Sequence, residues 1–93
     1  MIKVLKLTTG EELVGDVNFI ENMVEVKKPC ALIQVPSRTN PEQVAMALIP
    51  YAQYAKDHTV LVSVSHVIWS QEPVKELYNQ YNTVFGTGLV VPT

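Results

Sequence analysis

Ninety-three residues, 47% apolar and 17% charged with a formal net charge of −2, suffice for one domain and exclude several classes of function. The chain is too short for a dinucleotide-binding fold, a triosephosphate-isomerase-type barrel or most enzymes that close over a substrate. Its acidic balance excludes the bulk positive field that draws nucleic acid or acidic lipid. A soluble domain carries about 25% charged residues. A chain of this size buries only about 60–65% of its unfolded surface. So many apolar side chains do not fit inside one small subunit, and a neighbouring chain is expected to cover the excess. The single cysteine, Cys30, permits no internal disulfide, in keeping with a reducing compartment. The apolar run in residues 1–7 is too short and interrupted for a signal peptide, and no segment is long enough to span a membrane. A cytoplasmic protein is expected.

Valine is the commonest residue, and branching at Cβ suits a pleated sheet, so the chain is expected to be mainly β. The first strand is expected at 2–7. Thr8-Thr9-Gly10-Glu11 is a turn, with Gly10 where φ > 0 is needed. Residues 13–20 form a second strand, and Gly15 inside it marks a sharp bend or a close backbone approach. Glu21-Asn22 turns the chain into residues 23–28; Pro29 then breaks the ladder, and 30–35 resume as a strand. Residues 36–42 have the composition of a hairpin tip. Residues 44–49 return beside 30–35, giving an extended hairpin over about 23–50. Residues 50–58 are an irregular crossing or one helical turn. Strands at 59–64 and 67–69 flank the pair Ser65-His66.

The period then changes. Val74, Leu77, Tyr78, Tyr81, Val84 and Phe85 recur at spacings of three and four, one face of an amphipathic helix. The helix is expected at 72–86, with Ser70 or Gln71 as cap, Pro73 at its first position and Gly86 ending it. Residues 87–93 form a tail. The chain is thus one domain over 1–93, a sheet with its hairpin through residue 71, then the helix and the tail.

From Val4 to Val17 the chain has an apolar strand, two polar residues, a glycine, four residues, a second glycine, one residue and an apolar residue. This resembles the first half of the Sm motif, the signature of the Sm-like RNA-binding family. Met23, after Glu21-Asn22, occupies the place of the motif methionine, with a loop about two residues shorter and the asparagine ahead of the methionine. The second half of the motif is similar to the strand–turn–strand 59–69, where Ser65-His66 replaces the usual basic-glycine pair and His66 resembles a bacterial variant. The helix after the last strand resembles the short Sm-like chains of bacteriophages.

The resemblance implies a strongly bent five-stranded antiparallel sheet, a small barrel of the SH3 type, with an extended hairpin and a C-terminal α-helix. Gly10, Gly15 and Met23 would be its structural motif residues. It implies a homo-oligomeric ring of about five to seven subunits, closing the bare edges of each bent sheet. It implies single-stranded RNA bound at the inner rim, in RNA metabolism or its regulation, within a bacterial or phage-infected cell. Carried over residue by residue, Asn22 would hydrogen-bond a base edge, and Ser65 and His66 would contact a base or phosphate. Lys27, Lys28 and Arg38 would touch the RNA backbone.

Each of these residues also has an ordinary structural role. Asn22 suits a turn, Lys27 and Lys28 suit a solvated strand edge, and Tyr78 and Tyr81 suit packing. The acidic balance, the absent basic-glycine pair and the shifted asparagine keep a second function open: a ring-shaped scaffold or adaptor that does not bind RNA. No phosphate loop, zinc helix or nucleophile elbow is present, so no enzyme and no cofactor are expected. Cys30, His58 and His66 have no metal-ligand spacing. The apolar excess is expected along the strand edges of 59–69 and on one face of the helix, buried between subunits.

Overall fold

The computed structural model describes residues 1–40 and 42–85. Pro41 of the expected hairpin tip, Gly86, expected to end the helix, and the expected tail 87–93 lie outside the described residues. The chain is mainly β. The strands are β1 (Ile2–Leu7), β2 (Glu12–Ile20), β3 (Met23–Pro36), β4 (Val44–Pro50), β5 (Thr59–Ser63) and β6 (Val67–Gln71), and one helix, α1 (Lys75–Phe85), follows them. All six belong to one antiparallel sheet of order β4-β3-β2-β1-β6, with β5 also on β3.

The sheet therefore has six strands where five are expected. The returning arm of the hairpin is itself a fully paired strand, in register from Cys30 against Pro50 to Pro36 against Val44. The ladder breaks at Pro29 as expected, but only as a local bulge, and β3 runs on through it as one strand. Val14 opposes Cys30 and Asp16 opposes Lys27, so two residues of β3, Lys28 and Pro29, bulge opposite Gly15. Lys28 takes a φ of 53° there. A bulge interrupts the ladder locally, so the N–H that proline lacks is not missed. Gly15 makes room for it. A Cβ at this position would lie 2.7 Å from Val26 Cγ1 and 3.0 Å from the Lys27 carbonyl oxygen.

The turns form where expected. Gly10 has a φ of 96°, and its N–H donates to the Leu7 carbonyl at 2.9 Å. Residues 51–58 are the irregular crossing, ending in a 3₁₀ turn at Lys56–His58. A second 3₁₀ turn, Val64–His66, joins β5 to β6.

That second turn reveals how far the sheet bends. Strand β2 spans about 27 Å, and the β1–β2 and β2–β3 turns sit at its opposite ends. Yet Val64 N–H donates to the Asn22 carbonyl at one end, and the His66 carbonyl accepts from Thr8 N–H at the other, both at 2.9 Å. Three residues reach only about 10 Å, so the sheet must curl to bring its ends together. It does not close. Strand β5 pairs with β3 and β6 with β1, and no ladder joins β5 to β6.

Curling produces two cores. Leu5, Leu7, Leu13, Val17, Val24 and Val26 fill the inside of the curl, with Val60, Val62 and Val67 packed against them. On the other face Val4, Val14 and Cys30 pack under Leu77 and Tyr81 of α1. The Tyr81 hydroxyl donates to the Lys28 carbonyl at 2.8 Å, pinning the helix to the bulge. The helix starts at Lys75 rather than residue 72, because β6 runs on to Gln71, paired with Val4. Residues 72–74 turn the chain, and the Val74 carbonyl accepts the first helical bond, from Tyr78 N–H.

Beyond Ala31, β3 loses its β2 partner and continues with β4 as a two-stranded arm. Residues 29–37 and 43–55 contain no charged side chain. Exposed apolar side chains stand on β5, β6 and α1, as expected, among them Leu61, Ile68, Trp69 and Tyr78, with Val74 in the turn before the helix, and also on the arm, at Ile33, Val44, Met46 and Ile49. Among the described residues no helix is long and apolar enough to cross a membrane.

Candidate functional site

The curl that brings the two ends of β2 together also assembles a rim. Asn22 sits in the β2–β3 turn, where Glu21 takes a φ of 52°, and its carbonyl holds Val64. Ser65 lies one residue further along the 3₁₀ turn. The Ser63 hydroxyl accepts from Ser65 N–H at 3.3 Å, and the two serine hydroxyls share a hydrogen bond at 2.9 Å. His66 completes the turn, with Nδ1 3.3 Å from Thr8 Oγ1. Asn22 and the distant pair Ser65-His66 thus come together on one exposed rim, and Thr8 joins them. Pattern reading passed over Thr8; its signal was its place at the end of β1, where the strand order sets it beside the start of β6.

The lysines do not join this rim. Lys27 opposes Thr59, four residues up β5 from Ser63, about 13 Å along the strand. Lys28 is on the bulge beneath α1, and Arg38 is at the tip of the arm. The charges nearest Asn22 in sequence are Glu21 and Glu25. Glu25 accepts from Asn18 Nδ2 at 3.4 Å. Lys6 is held at the β1–β2 turn by Glu12 at 3.4 Å and the Gly10 carbonyl at 3.2 Å. The rim thus offers polar and aromatic contacts within an acidic surrounding.

Met23 is half-buried beside the rim, opposite Ser63, while Gly10 makes the β1–β2 turn and Gly15 the close approach at the bulge. Below the β1–β2 turn the Tyr51 hydroxyl donates to Glu11 Oε1 at 3.3 Å. Burial, and then the Glu11 charge, raise the Tyr51 phenol above its ordinary pKa. Cys30 is fully buried, and burial pushes its thiol up to about 11, so it stays protonated near neutral pH and is a poor nucleophile. Burial, then the neighbouring Cys30 and Asp16, also raise the Tyr81 phenol. Among the described residues no three His, Cys, Asp or Glu side chains are placed to hold a metal.

A second feature is the unpaired outer edges of β5 and β6 on the body, with a third on β4 of the arm. The outer edge of β5 carries Leu61, 61% exposed, and that of β6 carries Trp69, 42% exposed. Neither edge has the lysine or proline that blocks unwanted pairing. No protein-family model matches the chain, and no curated protein matches it.

Proposed function

We propose that the chain is an Sm-like protein, a curled small barrel of the SH3 type that assembles into a homo-oligomeric ring and binds single-stranded RNA at its rim. The observation that carries this reading is the convergence of Asn22, Ser65 and His66 through the hydrogen bonds of the Val64–His66 turn. Exposed amide, hydroxyl and imidazole groups suit the edges and faces of unstacked bases. One rim per subunit, repeated around a ring, turns weak single contacts into useful avidity. The bare edges supply the assembly. Full antiparallel overlap of β5 with the β6 of the next subunit sets Leu61 opposite Trp69. Leu61 shares its face with Glu25 and Lys27, and Trp69 shares its face with Lys6 and Val4, so the pleats of the two sheets continue in phase. Such a protein would act in RNA metabolism or its regulation, in the cytoplasm.

The acidic setting of the rim, with Lys27 and Lys28 displaced from it, favours a second reading: a ring-shaped scaffold or adaptor without RNA. Fluorescence anisotropy of a labelled oligo-uridine, titrated at low and then physiological salt, separates the two. RNA binding predicts saturable binding at low salt that weakens as salt rises. Asn22→Ala and His66→Ala should each weaken it about tenfold, roughly 1.4 kcal/mol, with the oligomer intact. An intact oligomer with no binding at low salt leaves the scaffold.

A further inference from the structure

We propose that Tyr54 of each copy anchors in an apolar cleft of the next, with Lys56 set against Glu72, and that this contact fixes the register of the seam. The proposal rests on the edge-to-edge assembly above. The cleft has a volume of about 500 Å³ and is lined by Val4, Leu32, Met46, Trp69, Val74 and Leu77. It opens beside the free edge of β6, at Gln71, Glu72 and Pro73. Two carboxylates stand in its wall. Glu12 is tied to Lys6, whereas Glu72 has no ion pair among the described residues.

Tyr54 lies in the crossing between β4 and β5 and is 95% exposed. A tyrosine held in water adds nothing to the packing of its own subunit, but such side chains are typical anchors of interfaces. Lys56, two residues on, is exposed and also has no ion pair among the described residues. The direction of the strands brings these groups to the cleft. With β5 antiparallel to the neighbouring β6 and fully overlapped, Thr59 falls against Gln71. The residues ahead of Thr59 then run past Gln71 towards Glu72 and Pro73, the mouth of the cleft. Tyr54 is five residues ahead of Thr59, and with Lys56–His58 coiled in a 3₁₀ turn its reach stays under about 17 Å. A parallel seam would instead carry the crossing to Val67, away from the cleft. The occupant is therefore a second copy of this chain, matched by an aromatic ring for the apolar walls and a lysine for the unpaired glutamate.

The test combines light scattering with the emission of Trp69, the only tryptophan in the chain and part of the cleft wall. Wild-type protein should assemble, with Trp69 emission shifting to the blue as it does. Tyr54→Ala should raise the concentration for half-assembly at least tenfold and return the emission to the red. Tyr54→Phe should behave as wild type. Lys56→Glu and Glu72→Lys should each weaken assembly, and the double exchange should restore it. An oligomer that survives in Tyr54→Ala with Trp69 still shielded gives the cleft another occupant and overturns the anchor alone. A wild-type chain that stays monomeric at micromolar concentration overturns the assembly on which the anchor rests.

Discussion

The curled body and the arm are built from similar residues but bury them differently. In the body Leu5, Leu13, Val14, Val24 and Val26 are fully buried. In the arm Val44 is 66% and Met46 41% exposed, although neither strand carries a charge there. The body folds its sheet over one core and lays α1 on a second. The arm is a single two-stranded layer, and such a ribbon is only marginally stable in water. What separates core from surface here is the number of layers, not the hydrophobicity of the sequence. Apolar composition alone therefore marks residues that must be covered, without saying whether this chain or another covers them.

Urea unfolding tests that contrast most strongly at Leu13. Leu13→Ala empties a fully buried site and should cost about 3 kcal/mol. Ile33→Ala on the arm should cost under about 1 kcal/mol. Equal losses would mean that the arm is as well packed as the body.

The bulge where body and arm meet provides the next test. Gly15→Ala should cost about 2 kcal/mol, because its Cβ would meet Val26 and backbone at 3.0 Å or less. Gly10→Ala meets no atom within 4 Å and should cost about 1 kcal/mol, through its positive φ alone. If the two substitutions cost the same, the tight approach at Gly15 is not what bends the sheet.

Burial of Cys30 predicts a pH dependence. The folded thiol ionises at about 11, above its ordinary value. The unfolded chain therefore releases that proton first as pH rises. The stabilisation is complete below about pH 9 and is lost as pH climbs towards about 11, by up to about 3 kcal/mol. Thermal unfolding should show a falling Tm across that window, and Cys30→Ala should make it shallower, leaving the part above about pH 10 that comes from the raised Tyr81 and Tyr51 phenols. A smaller effect concerns α1. Tyr81→Phe deletes the hydrogen bond to the Lys28 carbonyl and should cost about 1 kcal/mol, seen as earlier loss of helical circular dichroism.

Much of this fold is legible in the sequence because local chemistry decides it. Gly10 demands a turn, the valine-rich composition favours strands, and the three-four spacing from Val74 demands a helix. The continuity of β3 is not legible, because whether Pro29 ends a strand depends on Gly15, fourteen residues away in sequence and opposite only after pairing. The start of α1, three residues later than the spacing predicts, is not legible either, because the pairing of Gln71 with Val4 is a tertiary fact. At the rim, the candidates Asn22, Ser65 and His66 were legible from the motif resemblance, since turns carry them. The exclusion of Lys27 and Lys28 was not, because only strand register shows how far they stand from Ser63.

Size-exclusion chromatography with light scattering tests the central claim, self-assembly through the bare edges of β5 and β6, most directly. The account predicts one discrete species of several times the 10.4 kDa chain at micromolar concentration. It also predicts that Leu61→Lys, an exposed edge residue, shifts that species towards monomer without unfolding it. A single 10.4 kDa species for the wild-type chain would contradict it.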